Sequence, residues 1–173
     1  MEDLRLPAIR GASLGTLLAT ALFGFATVCA STLEGLVVGV TDGDTVTILV
    51  DRREVKVRVA GIDAPEKKQA FGQRSKQAMS DCAFGKPSQV EWDKTDRYGR
   101  TIGKVTVEGV DCGLRQIELG LAWHYKTYAK EQTPIDREAY GRAEEGAVAN
   151  RLGLWTDPNP IPPWEYRHGG AKR

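Results

Sequence analysis

The stretch that decides the fold is LEGLVVGVTDGDTVTILVDRREVKVRVAGID, residues 33–63. It contains three β-rich runs, at residues 33–41, 45–50 and 55–60, and polar turn residues separate them. In the third run valine alternates with Lys56, Arg58 and Ala60, which is the period of a strand with one buried face. The stretch therefore predicts three successive strands, with Arg58 directed away from the valine side.

Downstream, the pattern predicts a helix over residues 71–83, strands at 90–92 and 101–107, and helical spacing over 114–121. A third helix is predicted to start after Thr133, which suits an N-cap and is followed by Pro134 in the first turn. Five short strands, with helices after the third and the fifth, are typical of an α+β domain. The count fits a five-stranded OB-fold β-barrel with three helices.

The composition is that of a folded domain and excludes several classes of protein. The 173 residues include 41% hydrophobic residues, enough for the core of one ordinary domain. The 24 Lys and Arg nearly balance the 23 Asp and Glu, which excludes a polycationic protein and an acidic disordered chain. The two histidines, His124 and His168, are too few for a His-rich metal centre and argue against a His-dependent hydrolase.

The two ends of the chain differ from this domain. Residues 11–30 carry no charge, and small residues precede Ser31, so residues 1–30 are predicted to be a secretory signal peptide. An uncleaved membrane anchor is the alternative, because about 20 apolar residues can span a bilayer. Either interpretation places residues 31–157 outside the cytoplasm. Half of the eight prolines lie in residues 158–163, so the tail, residues 158–173, is predicted to form no regular helix.

Cleavage before Ser31 would leave two of the three cysteines, Cys82 and Cys112. An even pair in an exported domain favours a disulfide. Two buried free thiols that pack as small apolar residues are the alternative.

Four acidic residues lie at predicted strand ends: Asp42, Asp44, Asp63 and Glu66. Hard cations such as Ca²⁺ take carboxylate, carbonyl and water oxygens, and Asp44, Asp63 and a carbonyl near Ala64 would form part of such a shell. Taken alone, Asp-Gly-Asp is more often an ordinary turn.

Arginines form the second group of residues that could take part in chemistry. Arg58 and the turn Asp96-Arg97-Tyr98-Gly99-Arg100 would each be a solvated feature if they stood alone. Phosphodiester hydrolysis needs a water activated near an acid, a cation at the phosphate, and donors for the charge that builds on its oxygens. Arginine is suited to the last role because its fork binds two phosphate oxygens.

Three segments together resemble the signatures of the staphylococcal nuclease (thermonuclease) family. They are DGDT at residues 42–45, RVAGIDAPE at 58–66 and DRYGR at 96–100. Their order and spacing are similar to the family's over residues 33–155. The resemblance implies an OB-fold barrel with three helices and Ca²⁺-dependent cleavage of DNA and RNA at the bond to the 5′ oxygen, leaving 3′-phosphate ends.

The resemblance also implies a role for each matching residue. Ca²⁺ would be bound by Asp44, Asp63 and the backbone carbonyl of Ala64. Glu66 would orient or deprotonate the attacking water. The scissile phosphate would be clamped by Arg58 and Arg100.

Substrate contacts are implied further along the chain. Arg97 and Tyr98 would contact a terminal phosphate, whereas Tyr125 and Tyr128 would stack on bases, since every base has a π-face. Trp123 is predicted to pack rather than to bind. The expected substrates are single-stranded or loosened DNA and RNA, and the chain is expected to be a monomer with no stable protein partner.

Two other functions fit the same fold. One is a catalytically silent OB module that binds nucleic acid or protein, because a fold does not fix a function. The other is a structural domain stabilised by Ca²⁺. The sequence favours the nuclease because the predicted base, metal ligands and clamp arginines are all present.

Overall fold

A computed structural model of the chain describes residues 31–169. The predicted signal segment, residues 1–30, lies outside the described residues, as do the last four residues of the tail. Within residues 31–169, no helix combines the length and the apolar character needed to cross a membrane.

The strands close into a barrel. They are β1 (Ser31–Val40), β2 (Thr45–Val50), β3 (Arg53–Val59), β4 (Ile62–Asp63), β5 (Pro87–Thr95), β6 (Thr101–Val107), β7 (Val110–Asp111) and β8 (Trp123–His124). Antiparallel pairing gives the order β3-β2-β1-β5-β6, and parallel pairing of β3 with β6 joins the two ends. Strand β4 pairs separately with β8, and this pairing places Asp63 opposite Trp123.

Three longer helices accompany the barrel, and the predicted α+β OB fold is confirmed. They are α1 (Gly72–Ala83), α2 (Cys112–Glu118) and α3 (Pro134–Ala149). A 3₁₀ turn lies before α3, at Lys126–Glu131, and another lies after it, at Gly153–Thr156. Thr133 caps α3 as predicted, because its hydroxyl accepts a hydrogen bond from the Asp136 backbone N–H at 3.1 Å. Helix α2 ends before the predicted 121, since Gly120 turns the chain into the left-handed region at φ +65°.

The prediction that the tail contains no regular helix is wrong. A five-residue helix, α4 (Pro163–Arg167), lies within it. Pro163 occupies the first turn, where its missing N–H removes no hydrogen bond and its fixed φ suits a helix. The carbonyl of Pro162 accepts hydrogen bonds from the N–H groups of Glu165 and Tyr166.

The barrel interior and the helices share one hydrophobic core. Val57 and Val59 of β3 are buried in it, as the alternation predicted, and Arg58 lies on the other face. Met79 of α1 and Ile117 of α2 are fully buried against the same cluster. The core therefore fixes the positions of the strand and helix ends from which the polar residues project.

A disulfide joins Cys82 in α1 to Cys112 at the start of α2. The two cysteines are 30 residues apart in sequence. Closing a loop of this length stabilises a fold by roughly 3–4 kcal/mol in the chain-entropy model. The bridge ties together two helices that support the polar cleft described next.

Candidate active site

One cleft of about 1030 Å³ brings together all ten residues that the sequence singled out for metal, catalysis or substrate. They come from the ends of β2, β3 and β4, the loop after β4, the β5–β6 hairpin and the segment after β8. The ten are Asp44, Arg58, Asp63, Ala64, Glu66, Arg97, Tyr98, Arg100, Tyr125 and Tyr128. The cleft is also lined by Asp42 and by Arg167 of the tail.

The Asp-Gly-Asp turn that carries Asp44 has room only for glycine at its centre. A Cβ at Gly43 would lie 1.8 Å from the Ser75 hydroxyl oxygen and 2.8 Å from the Cβ of Ala64. The Asp42 carboxylate accepts a hydrogen bond from the Asp44 backbone N–H at 3.2 Å. The turn is therefore packed against α1 and against the loop that follows Asp63.

Gln116 is a supporting residue that the sequence analysis missed. This side chain of α2 is buried, and its Nε2 donates to the Gly43 carbonyl at 2.7 Å and to the Ser75 carbonyl at 2.8 Å. It thereby joins the Asp44 turn to α1. The signal in the sequence was slight: one polar side chain next to Ile117, on a helix that otherwise packs its apolar residues inward.

Arg58 holds the two predicted metal-binding carboxylates together. Its Nη2 lies 2.9 Å from Asp63 Oδ1 and 3.2 Å from Asp44 Oδ2. Its Nη1 donates to the carbonyls of Val59 and Ile62, each at 2.9 Å. Arg58 was predicted to clamp phosphate, and the structure places it at the floor of the cleft as the counter-charge of both carboxylates.

Burial raises the pKa of two carboxyl groups in the cleft, Asp42 and Asp63. Burial raises the pKa of Asp63, against the opposing effects of the Arg167 hydrogen bond and the Arg58 charge. Burial, together with the neighbouring Asp44 carboxylate, raises the pKa of Asp42 to about 6. Burial therefore disfavours the charged form of both carboxyl groups, and a bound cation would favour it.

The donor set of the cleft fits a hard cation. The side-chain donors are carboxylate oxygens, which Ca²⁺ and Mg²⁺ prefer. Within residues 31–169, no group of three or more His, Cys, Asp or Glu side chains is arranged to hold a metal ion. Asp44 and Asp63 would therefore bind the cation together with a backbone carbonyl, for which Ala64 is the candidate, and with water.

Glu66 is positioned by a tight loop between β4 and α1. The Glu66 carbonyl accepts a hydrogen bond from the Gln69 N–H at 2.8 Å. A Cβ at Gly72 would approach the same carbonyl oxygen to 2.0 Å, so the loop requires glycine there. The Glu66 side chain is 37% exposed and can reach both the cleft and solvent water.

Arg100 presents its terminal nitrogens to the cleft. The Asp96 carboxylate accepts from the backbone N–H groups of Tyr98 and Arg100 and, at 2.7 Å, from Arg100 Nε. Slight burial raises the pKa of Asp96, but these hydrogen bonds outweigh it, so the pKa is lowered from its ordinary value. Between residues 31 and 169, neither Nη atom of Arg100 has a hydrogen-bond partner. Its fork is therefore available to an anion.

The predicted substrate contacts fall into accessible and covered groups. The guanidinium of Arg97 lies 4.9 Å from the ring centre of Tyr98, which is 69% exposed. Tyr128 is also exposed and lies 5.2 Å, centre to centre, from the Tyr125 ring. Tyr125 is itself stacked on Trp164 of the tail at 5.5 Å. Trp123 is buried against other tryptophans, as its predicted packing role requires.

Arg167 of the tail enters the site, and no sequence signal indicated this. Its Nη2 donates to Asp63 Oδ2 at 2.8 Å, and its Nη1 donates to Asp63 Oδ1 at 3.2 Å and to Glu66 Oε1 at 2.9 Å. Its hydrogen bonds to Asp63, more than any other interaction, raise the pKa of Arg167 above the already high value of an ordinary arginine. One guanidinium thus contacts both a predicted metal ligand and the predicted base.

The chain is similar in sequence to known proteins over most of its length. The family described as "Staphylococcal nuclease homologue" matches residues 56–157. The chain is 41% identical over 143 residues to a micrococcal nuclease of Shigella flexneri, covering 78% of this chain and 80% of that protein. It is 43% identical over 132 residues to an uncharacterized endonuclease of Haemophilus influenzae, with coverages of 76% and 71%. It is also 38% identical over 150 residues to the Escherichia coli protein ParB, with 82% of each covered.

Proposed function

Since this chain belongs to the staphylococcal nuclease family and is a nuclease, we propose that it is an exported, Ca²⁺-dependent enzyme. Its proposed reaction is hydrolysis of DNA and RNA at the bond to the 5′ oxygen, leaving 3′-phosphate ends. The observation that carries the proposal is the convergence of Asp44, Asp63, Glu66, Arg58 and Arg100 in one cleft. The family is one of metal-dependent nucleases. The choice of Ca²⁺ rests on the all-oxygen donor set, because Ca²⁺ accepts oxygen ligands in a more variable geometry than Mg²⁺ does.

The chain's own residues supply most of the chemistry. A bound Ca²⁺ would add positive charge beside the phosphate oxygens. Glu66 accepts a proton from the attacking water, whose oxygen bonds to phosphorus while the bond to the 5′ oxygen breaks. Arg100 donates to the equatorial oxygens as their charge builds. The 5′ oxygen leaves as an alkoxide that takes a proton from solvent water, and Glu66 then returns its proton to solvent.

Cleavage should disappear when divalent cations are removed. The mature protein, from Ser31 to Arg173, should cut single-stranded DNA in Ca²⁺ and stop in excess chelator. Mg²⁺ should support less activity, because it requires a tighter octahedral shell than two carboxylates and a loose set of waters offer. Gel analysis of a labelled oligonucleotide measures this.

Two outcomes of that assay would contradict the proposal in different ways. Full activity in excess chelator would exclude a metal-dependent reaction. Tight binding of the oligonucleotide with no cutting in Ca²⁺ would instead indicate the silent binding module.

Export and the disulfide can be tested by a single intact-mass measurement. The native protein, isolated without reductant, should begin at Ser31 because the uncharged segment before it is the proposed signal peptide. Its mass should be lower by the two thiol hydrogens that the Cys82–Cys112 bond removes. An intact Met1 on membrane-bound protein would indicate an anchor, and a mass with both thiols would exclude the oxidised form.

We also propose that the protein acts as a monomer, which size-exclusion chromatography checks.

A further inference from the structure

Residues 161–168 lie across the cleft rather than beside it. The Ile161 carbonyl accepts a hydrogen bond from Gln69 Nε2 at 2.5 Å, in the loop that carries Glu66. Trp164 then stacks on Tyr125, with ring centres 5.5 Å apart and planes 21° apart. One turn later, Arg167 reaches Asp63 and Glu66. The segment of residues 161–168 is called the tail segment below.

Arg167 uses the same oxygen atoms that the proposed reaction needs. Both carboxylate oxygens of Asp63 accept from it, and so does Oε1 of Glu66. A divalent cation at Asp63 would face guanidinium nitrogens that lie 2.8 and 3.2 Å from the same carboxylate oxygens, and like charges repel strongly in a partly buried site. A water that gives its proton to Oε1 of Glu66 would likewise have to replace Arg167 there. The bound tail and the loaded site therefore exclude each other.

Trp164 also occupies a position that the substrate would use. Tyr125 is one of the two aromatic residues assigned to base stacking, and the indole of Trp164 covers its ring in a stacked geometry. A nucleobase that stacks on the covered face of Tyr125 would have to displace this indole. The tail segment thus places a cation at the cation site and an aromatic ring on a base-stacking residue.

We propose that the tail segment is an intramolecular competitor that closes the active site and is displaced when the divalent cation and the nucleic acid strand bind. The proposal rests on the proposed function, because it requires a cation at Asp44 and Asp63. The tail segment would keep the active site closed at low concentrations of the divalent cation. At every cation concentration it would weaken the apparent affinity for the cation and for the nucleic acid strand.

The attachment of the tail suits release. Within residues 31–169, the backbone hydrogen bonds of the tail segment are internal, apart from the one that the Ile161 carbonyl accepts from Gln69. Arg167 is 40% exposed, so water can replace its hydrogen bonds. Helix α4 has only five residues, and its loss would leave the barrel core intact.

Calorimetric titration with Ca²⁺ tests the proposal without reference to activity. The mature protein is compared with its Arg167→Gln variant and with Arg142→Gln, which removes an exposed arginine that pairs with Glu138 on α3. Arg167→Gln should bind Ca²⁺ about tenfold more tightly, as expected if the tail is closed in about nine molecules of ten. Arg142→Gln should bind like the parent protein.

The outcomes separate this proposal from the function on which it rests. Equal or weaker Ca²⁺ binding by Arg167→Gln would overturn the competitor role alone. Absence of Ca²⁺ binding in all three proteins would overturn both this proposal and the Ca²⁺ site.

Hydrogen exchange on the unaltered protein gives an independent measurement that requires no variant. The backbone N–H groups of Glu165, Tyr166 and His168, which are bonded within the tail, should exchange faster once Ca²⁺ and a short oligonucleotide are added. Unchanged protection at saturating Ca²⁺ and oligonucleotide would show that the tail stays closed and would overturn the proposal.

Discussion

Glu66→Gln should lower the turnover number by about 10²–10⁴-fold, the usual contribution of a positioned general base. The amide keeps the shape of the side chain but cannot accept the proton of the attacking water. Oligonucleotide affinity should change little, because a carboxylate does not attract phosphate. Turnover at saturating substrate and direct binding of the same oligonucleotide, measured separately, check both halves of the expectation.

Glu131→Gln is the matched control. Glu131 lines the same cleft, is exposed to a similar degree, 40% against 37%, and also pairs with a cation, Lys94. It lies away from the Asp44–Asp63 pair, so its variant should keep the parent turnover. Loss of the Glu66 charge also weakens one contact of Arg167, because an amide oxygen still accepts its hydrogen bond but is neutral. This should loosen the tail and favour activity. A parent-like rate for Glu66→Gln would remove Glu66 from the reaction.

The sequence predicted the barrel well because its signals are local. Alternation of Val55, Val57 and Val59 with polar residues follows from burial of one strand face, and β3 has that pattern in the structure. The α3 cap is equally local, since Thr133 and Asp136 are three residues apart. Strand β5 extends from Pro87 to Thr95, beyond the predicted 90–92, because β1 and β6 pair with it over polar positions that a hydrophobic pattern does not mark.

The sequence predicted which residues share the cleft but not the contacts that they make there. The three motifs contain eight of the ten predicted residues that line the cleft. Their spacing could not show that Arg58 is held by two carboxylates and two carbonyls. The tail is the clearest case. Arg167 meets Asp63 across 104 residues of sequence, and a proline-rich composition describes how a segment bends but not the surface on which it packs.

Arg100→Lys should lower turnover by about 10²–10³-fold, the cost of losing one well-placed donor to a developing oxyanion. The structure gives a specific reason. Arginine binds Asp96 through Nε and keeps both Nη atoms for the phosphate, whereas lysine has a single nitrogen that the Asp96 carboxylate would hold. The variant should fold normally, because the backbone N–H groups of Tyr98 and Arg100 still bind Asp96. Single-turnover cleavage of an oligonucleotide, together with thermal unfolding, measures both properties.

Arg115→Lys provides the comparison for a surface arginine. Arg115 lies on α2, is 52% exposed and pairs with one carboxylate, that of Glu118 at 3.2 Å. Because it does not line the cleft, its variant should cleave within a few-fold of the parent rate. Oligonucleotide affinity in Ca²⁺ should fall far less than turnover in Arg100→Lys, since the second donor matters most as charge builds on the equatorial oxygens. If Arg100→Lys instead cleaves as fast as Arg115→Lys, the free fork of Arg100 does not bind the reacting phosphate, and Arg58 would remain as the predicted clamp.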